Sequence, residues 1–259
     1  MDDDHANSEN SRRRFLQVFA GVSAAIPLAA PIAAASVTVA AAEAPAPAGA
    51  PTAAPAAAAP TAAEASAGYT YFGIEEAALV EALMDTMCPA DDLTPSGTDS
   101  GLATYIDRQL AGAFGSGDRL YAAGPWLPGK PQQGYQHPRD PKSLFSVGLG
   151  ALQRACQTAT GKKFAELSPA DRDAFLASLV AGKVTDERVP LAEWFNELVY
   201  PLFEQACFAD PIYGGNRGKV FWTVIGYPGL PAFHTLDVEQ YRGKPYPGAA
   251  QPQSIRDFS

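Results

Sequence analysis

EEAALVEALMDTM, residues 75–87, sets Leu79, Leu83 and Met87 four residues apart, with Val80 and Met84 beside them. Residues three or four apart share one face of a helix, whereas a strand alternates every second residue. The stretch therefore reads as an amphipathic helix, and the same period returns downstream. Leu102, Ile106 and Leu110 repeat it with Tyr105 one step round, and Phe145, Leu149, Leu152 and Cys156 form a third stripe. Ser168-Pro169-Ala170-Asp171 is a helix start: serine can cap, proline suits the first turn, and the aspartate complements the helix dipole. Phe175, Leu176, Leu179 and Val180 follow on one face, with Gly182 where a helix would end. A fifth run carries Leu191, Trp194, Phe195, Leu198 and Leu202, and Pro201 is expected to kink it. No comparable alternating pattern appears. The fold class is mostly α: a single helical domain with long Gly/Pro-rich arms.

Two arms interrupt the helices. Residues 115–142 hold five glycines and five prolines, with Tyr121, Trp126 and Tyr135 among them. The second begins at Ala209 and runs to the C-terminus, again rich in Gly, Pro and aromatics. Aromatics favour ordered arms, which either wrap their own core or dock a partner.

Upstream, the composition changes twice. Ser11-Arg12-Arg13-Arg14-Phe15-Leu16-Gln17 precedes an Ala-rich run from Val18 to about Ala42. Paired arginines, Phe-Leu and a weakly apolar stretch form a twin-arginine leader, the address of a route that exports folded proteins. Arg12, Arg13, Phe15 and Leu16 are its signal residues. Pro27 and Pro31 make the run a poor permanent membrane span, and Ala40-Ala41-Ala42 and Ala33-Ala34-Ala35 are alternative cleavage sites. Residues 43–68 are mostly Ala and Pro and hold no large apolar side chain, so they form a disordered linker of at most about 80 Å at ~3.1 Å per residue. Residues 69–259 are left as one domain.

The 259 residues carry a net charge of −9. Removing residues 1–42 takes four acids and three arginines, leaving 16 basic and 24 acidic residues and a net −8. That balance argues against nucleic acid or anionic lipid held by a basic patch.

Motifs for chemistry are scarce. His137 and His234 lie in different arms, neither beside a Cys or His at metal-ligand spacing. His234 with Asp237 has the look of a base and its orienter, without an accompanying nucleophile. Tyr213-Gly214-Gly215-Asn216 is a turn signal, not a phosphate loop. Cys-x-x-Cys-His and clustered cysteines are absent from the sequence. No catalytic residue, metal ligand or cofactor-binding residue is assigned to this chain. Cys88, Cys156 and Cys207 are an odd number, so in an oxidising compartment at least one stays unpaired within the chain. They are either small buried hydrophobes or, for Cys156 or Cys207, partners in an intersubunit disulfide.

Residues 89–114, PADDLTPSGTDSGLATYIDRQLAGAF, and 207–229, CFADPIYGGNRGKVFWTVIGYPG, resemble the small (third) subunit of membrane-bound gluconate 2-dehydrogenase. GPWLPGKPQQGYQHP, Phe164-Ala165-Glu166-Leu167-Ser168, Pro245-Tyr246-Pro247 and Pro252-Gln253-Ser254-Ile255 extend the resemblance over 69–259. The resemblance implies a chain without a redox group in a periplasmic complex at the inner membrane. Its partners would be an FAD-dependent large dehydrogenase subunit, a multihaem cytochrome c subunit carrying haem c, and the twin-arginine translocase that exports the folded flavoprotein with it. Recognition would fall to Trp126 and to Asp210, Tyr213, Gly214, Gly215, Asn216, Trp222, Tyr227, Pro228 and Gly229. Two alternatives stay open: an independent periplasmic small-molecule-binding protein, and an enzyme using His234 and Asp237.

Overall fold

The computed structural model describes residues 68–258 except 121–122, 128–129, 131–136 and 232. The leader, with Arg12, Arg13, Phe15 and Leu16, and the linker up to residue 67 lie outside the described residues, as do Tyr121 and Tyr135. Among the described residues the chain is helical, and pairing of strand type is limited to one isolated bridge, Gly229 with Gln253.

The helices are α1 (Ile74–Met87), α2 (Leu102–Ala111), the short α3 (Ala113–Ser116), α4 (Pro141–Thr160), α5 (Pro169–Val180), α6 (Leu191–Trp194), α7 (Tyr200–Phe208), α8 (Val220–Ile225) and α9 (Thr235–Gln240). α1 touches α2, α4 and α5, and α2 also touches α4 and α7. The expected stripes form the core: Val80, Leu83, Met84, Ile106, Leu110, Phe145, Leu152, Cys156, Leu176 and Leu179 are all sealed from solvent. Burying side chains of this size stabilises by roughly 1.5–3 kcal/mol each before ordering costs. Phe72, Phe145 and Trp194 continue the core as a run of rings, with centroids 5.8 and 6.0 Å apart. Trp194 lies flat over Gly148 of α4, where a Cβ would run into its indole.

The caps follow local rules. Asp140 accepts from Ser143 N at 2.7 Å and Pro141 opens α4. Ser168 accepts from Asp171 N at 3.2 Å and Pro169 opens α5. Both caps satisfy an amide that has no partner inside its helix.

Pro201 does not break the fifth run. Residues Phe195–Val199 form a π turn joining α6 to α7, and Tyr200 N–H reaches back five residues to Phe195 O. Proline has no N–H to give, and in an α-helix its ring clashes with the carbonyl four residues earlier. The wider turn makes room for it, so Phe195, Leu198 and Leu202 all stay buried.

The described domain begins with a clamp. The carboxylate of Asp107 on α2 is 1% exposed. It accepts from Thr70 N at 2.7 Å, Tyr71 N at 2.8 Å and Phe72 N at 2.9 Å. Tyr69 Oη donates to Glu81 at 2.7 Å and Tyr71 Oη to the Lys142 carbonyl at 2.8 Å. Residues 69–72 are thereby pinned across α1, α2 and α4.

Asp107→Ala leaves three amides in that clamp without their acceptor. It should cost about 3 kcal/mol or more in chemical denaturation, with Asp107→Asn intermediate because one oxygen remains. A change under about 0.5 kcal/mol would show that the clamp is not structural.

Candidate functional site: the C-terminal turn and its apolar cleft

After α7 the backbone makes a tight excursion that brings the second arm onto the core. Asp210 starts it, Oδ1 accepting from Ile212 N at 2.9 Å. Gly214 takes φ 103°, and a Cβ on Gly215 would collide with the Ala206 carbonyl. Both positions require glycine, one for its φ and one for close approach. Asn216 follows at φ 45°, fully buried. Its Oδ1 accepts from Phe221 N at 3.0 Å and its Nδ2 donates to Ala209 O at 3.3 Å. One amide thus ties the end of α7 to the start of α8. Arg217 fixes the turn to α2: its N–H donates to Ser100 O at 3.0 Å and its guanidinium to Thr104 Oγ1 at 3.0 Å.

The tail returns to the same place. Leu230 N donates to Gln253 O, and Gln253 N to Pro228 O, both at 2.9 Å. Ile255 N donates to Asp210 Oδ2 at 2.9 Å. Lys219, itself at φ 59°, reaches Asp257 Oδ2 at 2.6 Å and Pro252 O at 2.9 Å. Hydrogen bonds from Lys219 and from the Ser254 backbone hold the Asp257 carboxyl below its ordinary value.

Between turn and tail lies an open cleft of about 430 Å³ lined by Phe208, Asp210, Trp222, Ile225, Tyr227, Gly229, Leu230 and Ile255. Trp222 is its buried wall, Nε1 donating to Phe208 O at 2.8 Å and the ring meeting Tyr227 edge-on at 5.1 Å. Of its lining, Ile225 is 58% and Tyr227 44% exposed, and elsewhere on the same arm Tyr213 is 50% and Val224 49% exposed. Exposed aromatic and aliphatic side chains on a rigid support are a surface suited to recognition.

The residues singled out in the sequence fall into two groups. Gly214, Gly215, Asn216 and Trp222 are buried in the chain's own packing and shape the site without presenting a surface. Tyr213 and Tyr227 do present one, while Asp210, Pro228 and Gly229 line or support the cleft. Trp126 stands in the other arm, partly exposed beside the more exposed Leu127. Phe208, Ile225, Leu230 and Ile255 were not singled out. The i, i+3 spacing of Trp222 and Ile225 pairs two of the lining residues on one helix face, but nothing local announces Ile255.

The cysteines lie in the core. Cys156 and Cys207 are buried in the core and outside any disulfide, and Cys88 is buried as well. Cys156 Sγ lies 3.5 Å from the Lys162 carbonyl. Burial first, then the neighbouring Cys88, pushes the Cys207 thiol well above its ordinary value. Neither thiol is presented for an intersubunit disulfide, because each belongs to an apolar helix stripe.

His234 Nδ1 pairs with Asp237 Oδ2 at 3.0 Å, and Tyr246 Oη donates to the same oxygen at 3.2 Å. The other ring nitrogen, the one a general base would offer, is buried and has no hydrogen-bond partner among the described residues. The pair closes the start of α9. His137 accepts from Arg139 N at 3.1 Å, and burial with the nearby Arg139 charge lowers its pKa. Among the described residues no group of three or more His, Cys, Asp or Glu could hold a metal ion, and no helix is long and apolar enough to cross a membrane.

A model of the gluconate 2-dehydrogenase subunit 3 family matches residues 74–229, from the start of α1 to the last glycine of the cleft. The chain belongs to that family. No curated protein and no solved structure matches it. Within the family's span lie the Asp107 carboxylate, the buried Asn216 turn and most of the cleft wall; the tail that brings Ile255 lies beyond it.

Asn216→Ala removes both amide bonds and leaves a Cβ-bearing residue at positive φ, so unfolding should become easier by about 2–4 kcal/mol. Asn216→Gly, which keeps the backbone, should recover about 1 kcal/mol; equal losses would show that the turn geometry is not the constraint.

Asp257 titrates lower in the fold than in the open chain, so its hold on the tail is complete above 3.8 and lost as pH falls through its depressed folded value. Hydrogen exchange at Ser254 N should accelerate relative to a core amide only on that acid side. No acceleration there would contradict the clamp.

Proposed function

We propose that this chain is the non-catalytic small subunit of a periplasmic, membrane-bound, FAD-dependent complex of the gluconate 2-dehydrogenase type, and that it escorts the folded flavoprotein through the twin-arginine pathway. Family membership supports a place in a multi-subunit gluconate dehydrogenase. The observation that carries the division of labour is the cleft's rim. Exposed Ile225 and Tyr227 line a cleft whose supports, Asn216 and Trp222, are buried, which gives rigid anchors at modest entropy cost.

The chemistry in this reading belongs to the partners: FAD on the large subunit oxidises the substrate, and haem c on a cytochrome subunit takes the electrons. The leader supplies the address. A flavoprotein that folds around FAD in the cytoplasm must cross assembled, and a bound small subunit with a twin-arginine leader gives it passage. The interface must then survive transit, for which a preorganised surface is better suited than one that orders on binding.

Replacing Arg12 and Arg13 by Lys keeps the charge but removes the planar guanidinium forks. Dehydrogenase activity should move from the periplasmic and membrane fractions to the cytosol, with at least a tenfold change in the ratio. Normal export of the flavoprotein beside the Lys-Lys chain would overturn the escort role.

A further inference from the structure

The cleft sets a carboxylate among apolar neighbours. Four of its lining side chains, Phe208, Ile225, Tyr227 and Ile255, are between 41% and 58% exposed, and Trp222 closes the wall behind them. Asp210 is the one charged residue of the described lining. Its two oxygens accept one backbone amide each, from Ile212 and Ile255 at 2.9 Å, and no Lys or Arg of the described residues forms an ion pair with it. Each oxygen keeps room for a further donor. A helix end adds to the same field. α6, the π turn and α7 run without a break from Leu191 to Phe208, and the last turn of α7 holds no basic residue. Lys219 of the same arm is already held by Asp257 and the Pro252 carbonyl. A cation brought into the cleft by another molecule therefore meets both a carboxylate and the negative end of a helix.

An arginine suits this place better than a lysine. Its planar fork can serve both Asp210 oxygens together, and its flat face matches the exposed ring of Tyr227. Phe208, Ile225 and Ile255 offer contact to large apolar side chains beside it. At about 430 Å³ the cleft takes a few side chains of one segment, an anchor within a subunit contact and not its whole area. We infer that the cleft seats a segment of the FAD-dependent large subunit in which an arginine stands beside large apolar residues. This rests on the small-subunit reading given under the proposed function. A second copy of this chain is opposed by like charge, since it would bring a net −9 to the same carboxylate. The carboxylate also makes the contact selective, because a large subunit with an acidic residue at that point is repelled.

The test co-expresses the full-length chain with an FAD-dependent large subunit of the gluconate 2-dehydrogenase type. Photo-reactive benzoylphenylalanine replaces Tyr227, which keeps the ring that meets Trp222 edge-on. Irradiation and peptide mass spectrometry should place the links on one stretch of the large subunit that holds an arginine beside large apolar residues. The same probe at Leu93, exposed between α1 and α2, should label that stretch at least tenfold less. Replacing the stretch's arginine by alanine should weaken association at least tenfold with the native chain, but less than threefold with Asp210→Asn, which lacks the charge. Asp210 also holds Ile212 and Ile255, so Ile225→Ser, which touches neither bond, serves as an independent arm and should weaken the complex at least fivefold. Links to a stretch without an arginine, links between copies of this chain, a small molecule found in the cleft, or an arginine whose loss costs as much with Asp210→Asn as with the native chain would overturn the inference. The two readings fail differently. A complex that forms but links elsewhere sinks the cleft inference and spares the subunit reading, whereas a chain that never co-purifies with the large subunit sinks both.

Discussion

The amide of Asn216 is the constraint on which the C-terminal arm depends. It is buried, held at positive φ, and bonded at once to the carbonyl of Ala209 and the N–H of Phe221. Those two bonds set the angle between α7 and α8. That angle puts Trp222 over the Phe208 carbonyl and turns Ile225 and Tyr227 outward. An aspartate there would lose the donor to Ala209, and an apolar residue would leave both groups unpaired in a place without water. The exposed apolar rim is thus a product of buried polar chemistry.

The rest of the domain supplies a floor for that turn. α2 carries Thr104 and Asp107 on one helix: the first accepts from the Arg217 guanidinium, the second grips residues 70–72. The segment through which the linker joins the domain and the turn that builds the cleft are therefore referred to the same ten-residue element. Cys156 and Cys207, buried on apolar helix faces, fit a core that gains its strength from packing.

The helices were legible because their signal is local. Steps of four at Leu79, Leu83 and Met87, and Ser168-Pro169 before Phe175, state period and cap within a dozen residues. Pro201 was legible as a perturbation but not as a π turn. Whether a helix breaks or widens around a proline depends on what Phe195 and Leu202 can bury on either side, which is tertiary information. Gly214-Gly215-Asn216 read as a turn, yet its burial did not, since those residue types usually face water. The cleft was the least legible feature. Its Ile255 wall arrives through Asp210 to Ile255 N and Lys219 to Asp257, contacts between common residue types 45 and 38 positions apart.

The most direct test of the central claim is to purify the full chain, tagged at its C-terminus, from detergent-solubilised membranes of cells that also express an FAD-dependent dehydrogenase large subunit of the gluconate 2-dehydrogenase type. Absorbance is then read before and after the subunits are separated. The account predicts a flavin band stoichiometric with the complex that leaves with the larger polypeptide, and a separated small subunit that is colourless and inactive with a dye acceptor. A flavin that stays with this chain, or a chain that emerges alone from cells making the flavoprotein, would contradict it.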